Sequence, residues 1–389
     1  MSFRKSIYLK YFHKMKTTFL LFTFSLIVIF SYGQTAQEYY DRGNLKVAKK
    51  DYLGAISDYT KVVEINPSYP EPYYNRGLAK YYLNNFNGAI ADFNKAIEID
   101  PLFLNAYTNR GLAKMELEDP KGAIADFNKV IEKTPMDFAA YTNRGKAKIS
   151  INDFKGAISD LSRAIQLNSD SEEAYSDRGI AKINLKDFQG ALNDFNKAIE
   201  INPSNSYNYC NLANAKAKLN EFLEALIAYD KAIEIMPTNK LAFFNRGTLK
   251  DDMKDYNAAL KDLTKAIEID PKYSDAYVNR GLVKYKTKDY KGAISDYSSA
   301  IKISPNDPDS YINKGNAELE LGNFKVALID YTKALEINPL AAIGYNNRGL
   351  AKKQLGDLTG ACQDWIKAID LGMDEAKKFV LLYCKKNMP

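Results

Sequence analysis

Histidine is almost missing from this chain: of 389 residues only His13 is one, within a basic N-terminal stretch. Beyond it, His-based acid–base catalysis, Ser/His and Cys/His nucleophile pairs and histidine zinc sites are excluded. Cysteine is scarce as well, with three residues, and none of them stands at metal-ligand spacing. No catalytic group, metal or cofactor is therefore expected. Linkers and low-complexity tracts are absent too. An excess of positive charge also disappears once its source is located. The formal net charge is +6, but Arg4, Lys5, Lys10, Lys14 and Lys16 precede residue 34 and no acid does. From there on 49 basic residues face 48 acidic ones, so a nucleic-acid partner has no electrostatic support.

What the N-terminus does contain is an uncharged run, Phe19 to Phe30, behind Lys14 and Lys16 and ahead of Ser31-Tyr32-Gly33. That is the layout of a secretory signal peptide, and the run is short for a spanning helix. Residues 1–33 are expected to be a cleavable leader, placing the rest in the periplasm or outside the cell. An uncleaved anchor is the alternative, and membrane contact would then be through the leader alone.

The rest of the chain is periodic, which decides its architecture. Gly43, Gly77, Gly111, Gly145, Gly179, Ala213, Gly247, Gly281, Gly315 and Gly349 follow one another at a single constant interval, without insertion. Alanine follows at a fixed offset in every unit, from Ala55 to Ala361. Proline follows at a longer one, from Pro67 to Pro339, and only Ser169 and Met373 break its series. Ten units fill 36–69, 70–103, 104–137, 138–171, 172–205, 206–239, 240–273, 274–307, 308–341 and 342–375. Within 70–103, Tyr73, Leu78 or Ala79, and Leu83 stand at helical spacing. Asn85, just ahead of FNGAIADFNKAIEI, is placed to cap a second helix, and Pro101 ends it. Asp, Glu or Asn occupies that cap position in all ten units. Glycine inside a helix costs roughly 0.5–1 kcal/mol relative to alanine, so its recurrence calls for close helix packing at that point.

Tyr-x-x-x-Gly, Ala, aromatic, Ala and Pro at this period resembles the tetratricopeptide repeat family over all ten units. The resemblance implies an all-α, right-handed superhelical solenoid of helix–turn–helix units, whose first helices line a concave groove. GACQDWIKAIDLGMDEAKKFVLLYC resembles the closing segment of many exported bacterial members, so residues 376–389 are expected to form a C-terminal capping helix.

The chain departs from the usual family pattern in its charges. Arg42, Arg76, Arg110, Arg144, Arg178, Arg246, Arg280 and Arg348 precede the glycine, with Lys314 in the ninth unit. Aspartate recurs later in the unit, just before the packing aromatic or leucine, from Asp58 to Asp364. The unit that loses the cation, at Leu212, also loses the aspartate, at Ala228. Joint loss predicts an Arg–Asp pair bridging the two helices of a unit.

Two residues before each glycine stand Asn75, Asn109, Asn143, Asn211, Asn245, Asn279, Asn313 and Asn347, with Asp41 and Asp177 completing the series. In the family this position faces the groove. A carboxamide donates and accepts at once, matching a peptide backbone, so these eight are the candidate ladder for a bound peptide. Asparagine as the ordinary family residue at this place is the alternative. Tyr74 and Tyr81 are candidate aromatic anchors, and Lys146, Lys218, Asp251 and Asp252 vary the surface. The lysine-based carboxylate clamp of chaperone-binding members is not matched. The expected function is a non-catalytic scaffold holding a peptide or partner protein in the groove. An accessory subunit of an envelope enzyme or carbohydrate-processing complex, or a spacer without ligand, are the alternatives.

Cys362 and Cys384 stand at equal separations on either side of Met373. An antiparallel hairpin turning there brings them level, which predicts a disulfide in an exported protein; two buried thiols are the other possibility. Cys210 is expected to stay free.

Overall fold

The computed structural model describes residues 35–384. The expected leader, 1–33, lies outside the described residues, as do 385–389. All regular structure within them is helical, in pairs, which is the all-α helix–turn–helix solenoid class. No described helix is long and apolar enough to cross a membrane.

Each pair is built by the same local rules. In the second unit, Pro70–Tyr82 is followed by Phe86–Ile99. The chain turns between them through Asn84, at φ 58°, a left-handed residue that ends the first helix. Asn85 then accepts a hydrogen bond from the Gly88 amide at 3.0 Å and starts the second helix. Asp51, Asp119, Asp153, Asp255, Asp289 and Asp357 cap in the same way. Glu221 and Asn323, also expected as caps, make no such bond. Both are engaged elsewhere: Glu221 accepts from Lys216 at 2.9 Å, and Asn323 donates to Glu318 at 2.7 Å.

The recurrent glycine answers a close approach. A Cβ on Gly77 would stand 2.7 Å from Phe93 of the second helix. Phe93 is fully buried, with Ala89 and Ala96 beside it and Ala106 and Ala113 of the next unit closing over it. A buried ring of this kind contributes about 1.5–3 kcal/mol. The core is thus a chain of small clusters, each shared by two successive units.

The described chain forms two compact units that divide between Asp187 and Phe188. In each, a second helix packs on the next first helix, and first helices also touch the first helix of the following repeat. The chain closes differently at its C-terminus. Instead of one helix from 376, a 3-10 turn, Asp374–Ala376, leads into a seven-residue helix, Lys377–Tyr383. Phe379 stacks on the buried Trp365 at 5.1 Å, Tyr383 lies 5.9 Å from it, and a disulfide joins Cys362 to Cys384 with Cα atoms 5.8 Å apart. So short a helix does not stand alone; the bridge and the indole hold it in place.

Candidate functional site

Two sets of polar residues recur on the first helices, and the fold uses one of them throughout and the other in part. The first set is spent inside the fold. Arg76 donates to both oxygens of Asp92, Nε to Oδ2 at 2.9 Å and Nη2 to Oδ1 at 2.7 Å. The same two-pronged bond joins Arg42 to Asp58, Arg110 to Asp126, Arg144 to Asp160, Arg246 to Asp262, Arg280 to Asp296 and Arg348 to Asp364. Each of these aspartates is buried.

Sequence reasoning assigned each carboxylate one partner; it has two. Lys80 reaches Asp92 at 2.7 Å, and Lys46, Lys114, Lys148, Lys250, Lys284 and Lys352 repeat the contact. The recurrence of lysine shortly after the glycine was the available signal. The arginine also lies over the aromatic ring one helical turn before it, as Arg76 does over Tyr73 at 5.4 Å. Its remaining amine reaches back to the second helix of the preceding unit: Arg76 to Thr60 at 3.1 Å, Arg110 to Asn94, Arg144 to Asn128, Arg178 to Ser162 and Arg280 to Thr264. This is an architectural lattice. Arg42 and Lys46 hold the Asp58 carboxyl below its usual range. Asp330, bonded by Lys314 alone and with Glu318 nearby, is pushed above it by burial.

The second set is the asparagine series, and the structure divides it. Five carboxamides donate to the first helix of the preceding unit. Asn75 bonds the Tyr40 hydroxyl and Asn109 the Tyr74 hydroxyl, both at 3.0 Å. Asn245 points to the Cys210 sulfur at 3.6 Å, Asn279 to Thr248 at 3.1 Å and Asn347 to Asn316 at 2.8 Å. Asn109 also donates to Asn105 O of its own helix. At these five the preceding unit offers each carboxamide an acceptor, and among them only Asn109 also bonds its own helix. Asn143 and Asn313 make no internal side-chain hydrogen bond and are half-buried. The places that hold Thr248 and Asn316, acceptors for Asn279 and Asn347, hold Leu112 and Leu282 in the units before these two. Asn211 is half-buried and likewise unspent.

The two aromatic candidates are half-buried and packed against neighbouring rings. Tyr74 packs on Phe103 at 4.9 Å and Phe93 at 5.8 Å while its hydroxyl accepts from Asn109. Tyr81 packs on Phe86 at 5.3 Å, and burial raises its hydroxyl above the ordinary tyrosine range, with Glu116 adding to the shift. Lys146 bonds Glu173, and Asp251 bonds Lys286 at 2.7 Å. Cys210 is buried and free of disulfide.

Comparison with known proteins places this arrangement. Profiles described as Tetratricopeptide repeat match residues 70–103, 108–172, 172–205, 195–227 and 308–341. One described as TPR repeat matches 43–82, 252–288 and 283–322. No curated protein matches the chain. Among solved structures, a tetratricopeptide repeat protein from Parabacteroides merdae ATCC 43184 is 18% identical, at TM-score 0.56, covering 64% of this chain and 99% of its own. The Cut9 and Hcn1 assembly of APC/C is 14% identical at TM-score 0.52, over 91% of this chain and 84% of that one. YrrB, described as a TPR protein with an unusual peptide-binding site, is 27% identical at TM-score 0.43, covering 49% of this chain and 97% of its own.

Proposed function

Since the chain belongs to the tetratricopeptide repeat family, whose units serve protein interaction, we propose that it is a non-catalytic scaffold outside the cytoplasm that holds an extended peptide or a segment of a partner protein along its first helices. The observation that carries the reading is the unspent carboxamides, Asn143 in one compact unit and Asn211 and Asn313 in the other. A half-buried amide with no internal partner offers one donor and one acceptor, which is what a backbone N–H and C=O require. The five spent rungs keep acceptor capacity on Oδ1 but have lost a donor to the fold, Asn109 both of its N–H groups, and Asn347 Oδ1 already accepts from Asn346. They favour the competing reading, a spacer in which the series is architecture. The Cys362–Cys384 bridge supports an oxidising compartment, where such bonds persist. The leader expectation, periplasmic or secreted, belongs to this proposal.

The test is capture of a degenerate dodecapeptide library by the immobilised chain. Replacing Asn143, Asn211 and Asn313 by alanine together is expected to abolish capture and leave thermal stability unchanged, alanine being the better helix former. Undiminished capture by that variant makes the series structural and moves recognition elsewhere.

A further inference from the structure

One rung of the series is a half-buried carboxyl group with one enclosed oxygen. Position 177 stands two residues before Gly179, where the three preceding units have Asn75, Asn109 and Asn143. Oδ2 of Asp177 is buried and accepts no hydrogen bond. The nearest cation, Lys146 Nζ on the first helix of the preceding unit, Phe138–Ser150, stops 4.0 Å away and is committed to Glu173. Its own helix, Glu172–Asn184, adds Glu172 and Glu173 on the same side of the balance. The second helix of the preceding unit, Phe154–Leu167, contributes nothing: Asp160 is held by Arg144 and Lys148, and Arg163 by Gln166 and Met136. A carboxylate oxygen so placed has lost water and gained no donor, the situation that favours the acid form.

We propose that Asp177 is a protonation-gated rung, restoring as a carboxylic acid the neutral donor-and-acceptor group that asparagine supplies in the neighbouring units, and withdrawing it as a carboxylate. The acid and the carboxamide are nearly isosteric, and each presents one acceptor beside one donor, whereas the carboxylate only accepts. Burial pushes Asp177 up to about 7, with Glu173 and Glu172 adding to the shift and Lys146 opposing it. The gate therefore works around neutrality: the proton is held below about 7 and lost above it. Asp41, the other carboxyl in the series, is exposed and accepts from Gln37, so it carries no such gate. The proposal rests on the reading that the first helices hold an extended segment, and it fixes how that binding responds to pH. Capture falls as pH rises through neutrality, by at most about tenfold per unit.

Two measurements on the full chain decide it. Carbon-13 NMR of side-chain carboxyls, with the signal assigned by its loss in Asp177→Asn, is expected to show a midpoint near 7, moving higher in Lys146→Met. Capture from the degenerate dodecapeptide library by wild type is expected to fall between pH 6 and pH 8, while D177N holds the pH 6 level at both. A midpoint near 4 overturns the gate, as does capture by wild type that is equal at both pH values. A midpoint near 7 with no capture by any form at either pH overturns the reading on which the gate rests.

Discussion

The sixth and eighth repeats do the same packing with opposite chemistry. In the eighth, Arg280 clamps Asp296 at 2.9 and 2.7 Å, Lys284 joins at 2.7 Å, and Arg280 reaches back to Thr264. In the sixth, the same places hold Leu212 and Ala228, both buried, and Lys216 turns to Glu221 instead. Yet Ala225 and Ala293 are equally buried, and Tyr229 and Tyr297 fill the same slot. The helices of a pair are held by the alanine and the ring. The charges satisfy one another once they are present, which is how a buried ion pair differs from a source of net stability.

Removing half of the eighth repeat's pair tests this most severely. Asp296→Ala leaves Arg280 and Lys284 without their carboxylate and is expected to cost about 3–5 kcal/mol in urea unfolding. Arg280→Leu with Asp296→Ala imitates the sixth repeat and should return to within about 1–2 kcal/mol of wild type. A double variant as weak as the single one would show that the pair itself carries the packing.

The ninth repeat sharpens the comparison, because its ionic site is incomplete. Lys314 stands in for arginine and Glu318 for lysine, and burial raises Asp330, with Glu318 adding to the shift and Lys314 opposing it. A carboxyl that holds its proton more tightly when folded makes the fold weaker as pH climbs from the ordinary carboxylate range through its raised value. Lys314→Arg with Glu318→Lys installs the full set and is expected to add about 1–2 kcal/mol at pH 7. At pH 3, below the ordinary carboxylate range, the new pair must form against the proton that Asp330 holds in the unfolded chain, and that gain should shrink. A gain of equal size at pH 3 would assign it to packing.

The smallest effect concerns the turn between helices. Lys288 in the eighth repeat has φ 64°, where the ninth has Gly322 at 78°. Lys288→Gly relieves the left-handed strain and is expected to raise stability by up to about 1 kcal/mol in thermal unfolding. A loss would mean that the lysine side chain contributes more than its backbone costs.

The regular part of this molecule was legible because its physics repeats. The constant period, the capping position and the joint loss at Leu212 and Ala228 each show in the letters. The left-handed residue did not: lysine, asparagine or glutamate fills it in eight turns, and only Gly322 and Gly356 mark it as special. The fate of the asparagines was hidden for another reason. Whether Asn109 is spent or Asn143 is not depends on which side chain of the previous unit lies opposite, and that follows from how one unit is laid on the next. The enclosure of Asp177 Oδ2 has the same origin. Position 41 carries the same residue type, but there the carboxyl is exposed.

Most of the hydrogen bonds between repeats share a direction, with Lys146 to Glu173 and Tyr285 to Glu320 as exceptions. Arg76, Arg110, Arg144, Arg178 and Arg280 all reach toward the N-terminus, and so do Asn75, Asn109, Asn279 and Asn347. A chain emerging from the ribosome or a translocation channel presents each new unit with acceptors already in place on a finished neighbour. Assembly can then proceed like a zip drawn once from one end, and the Cys362–Cys384 bridge supplies the clasp behind the tenth repeat.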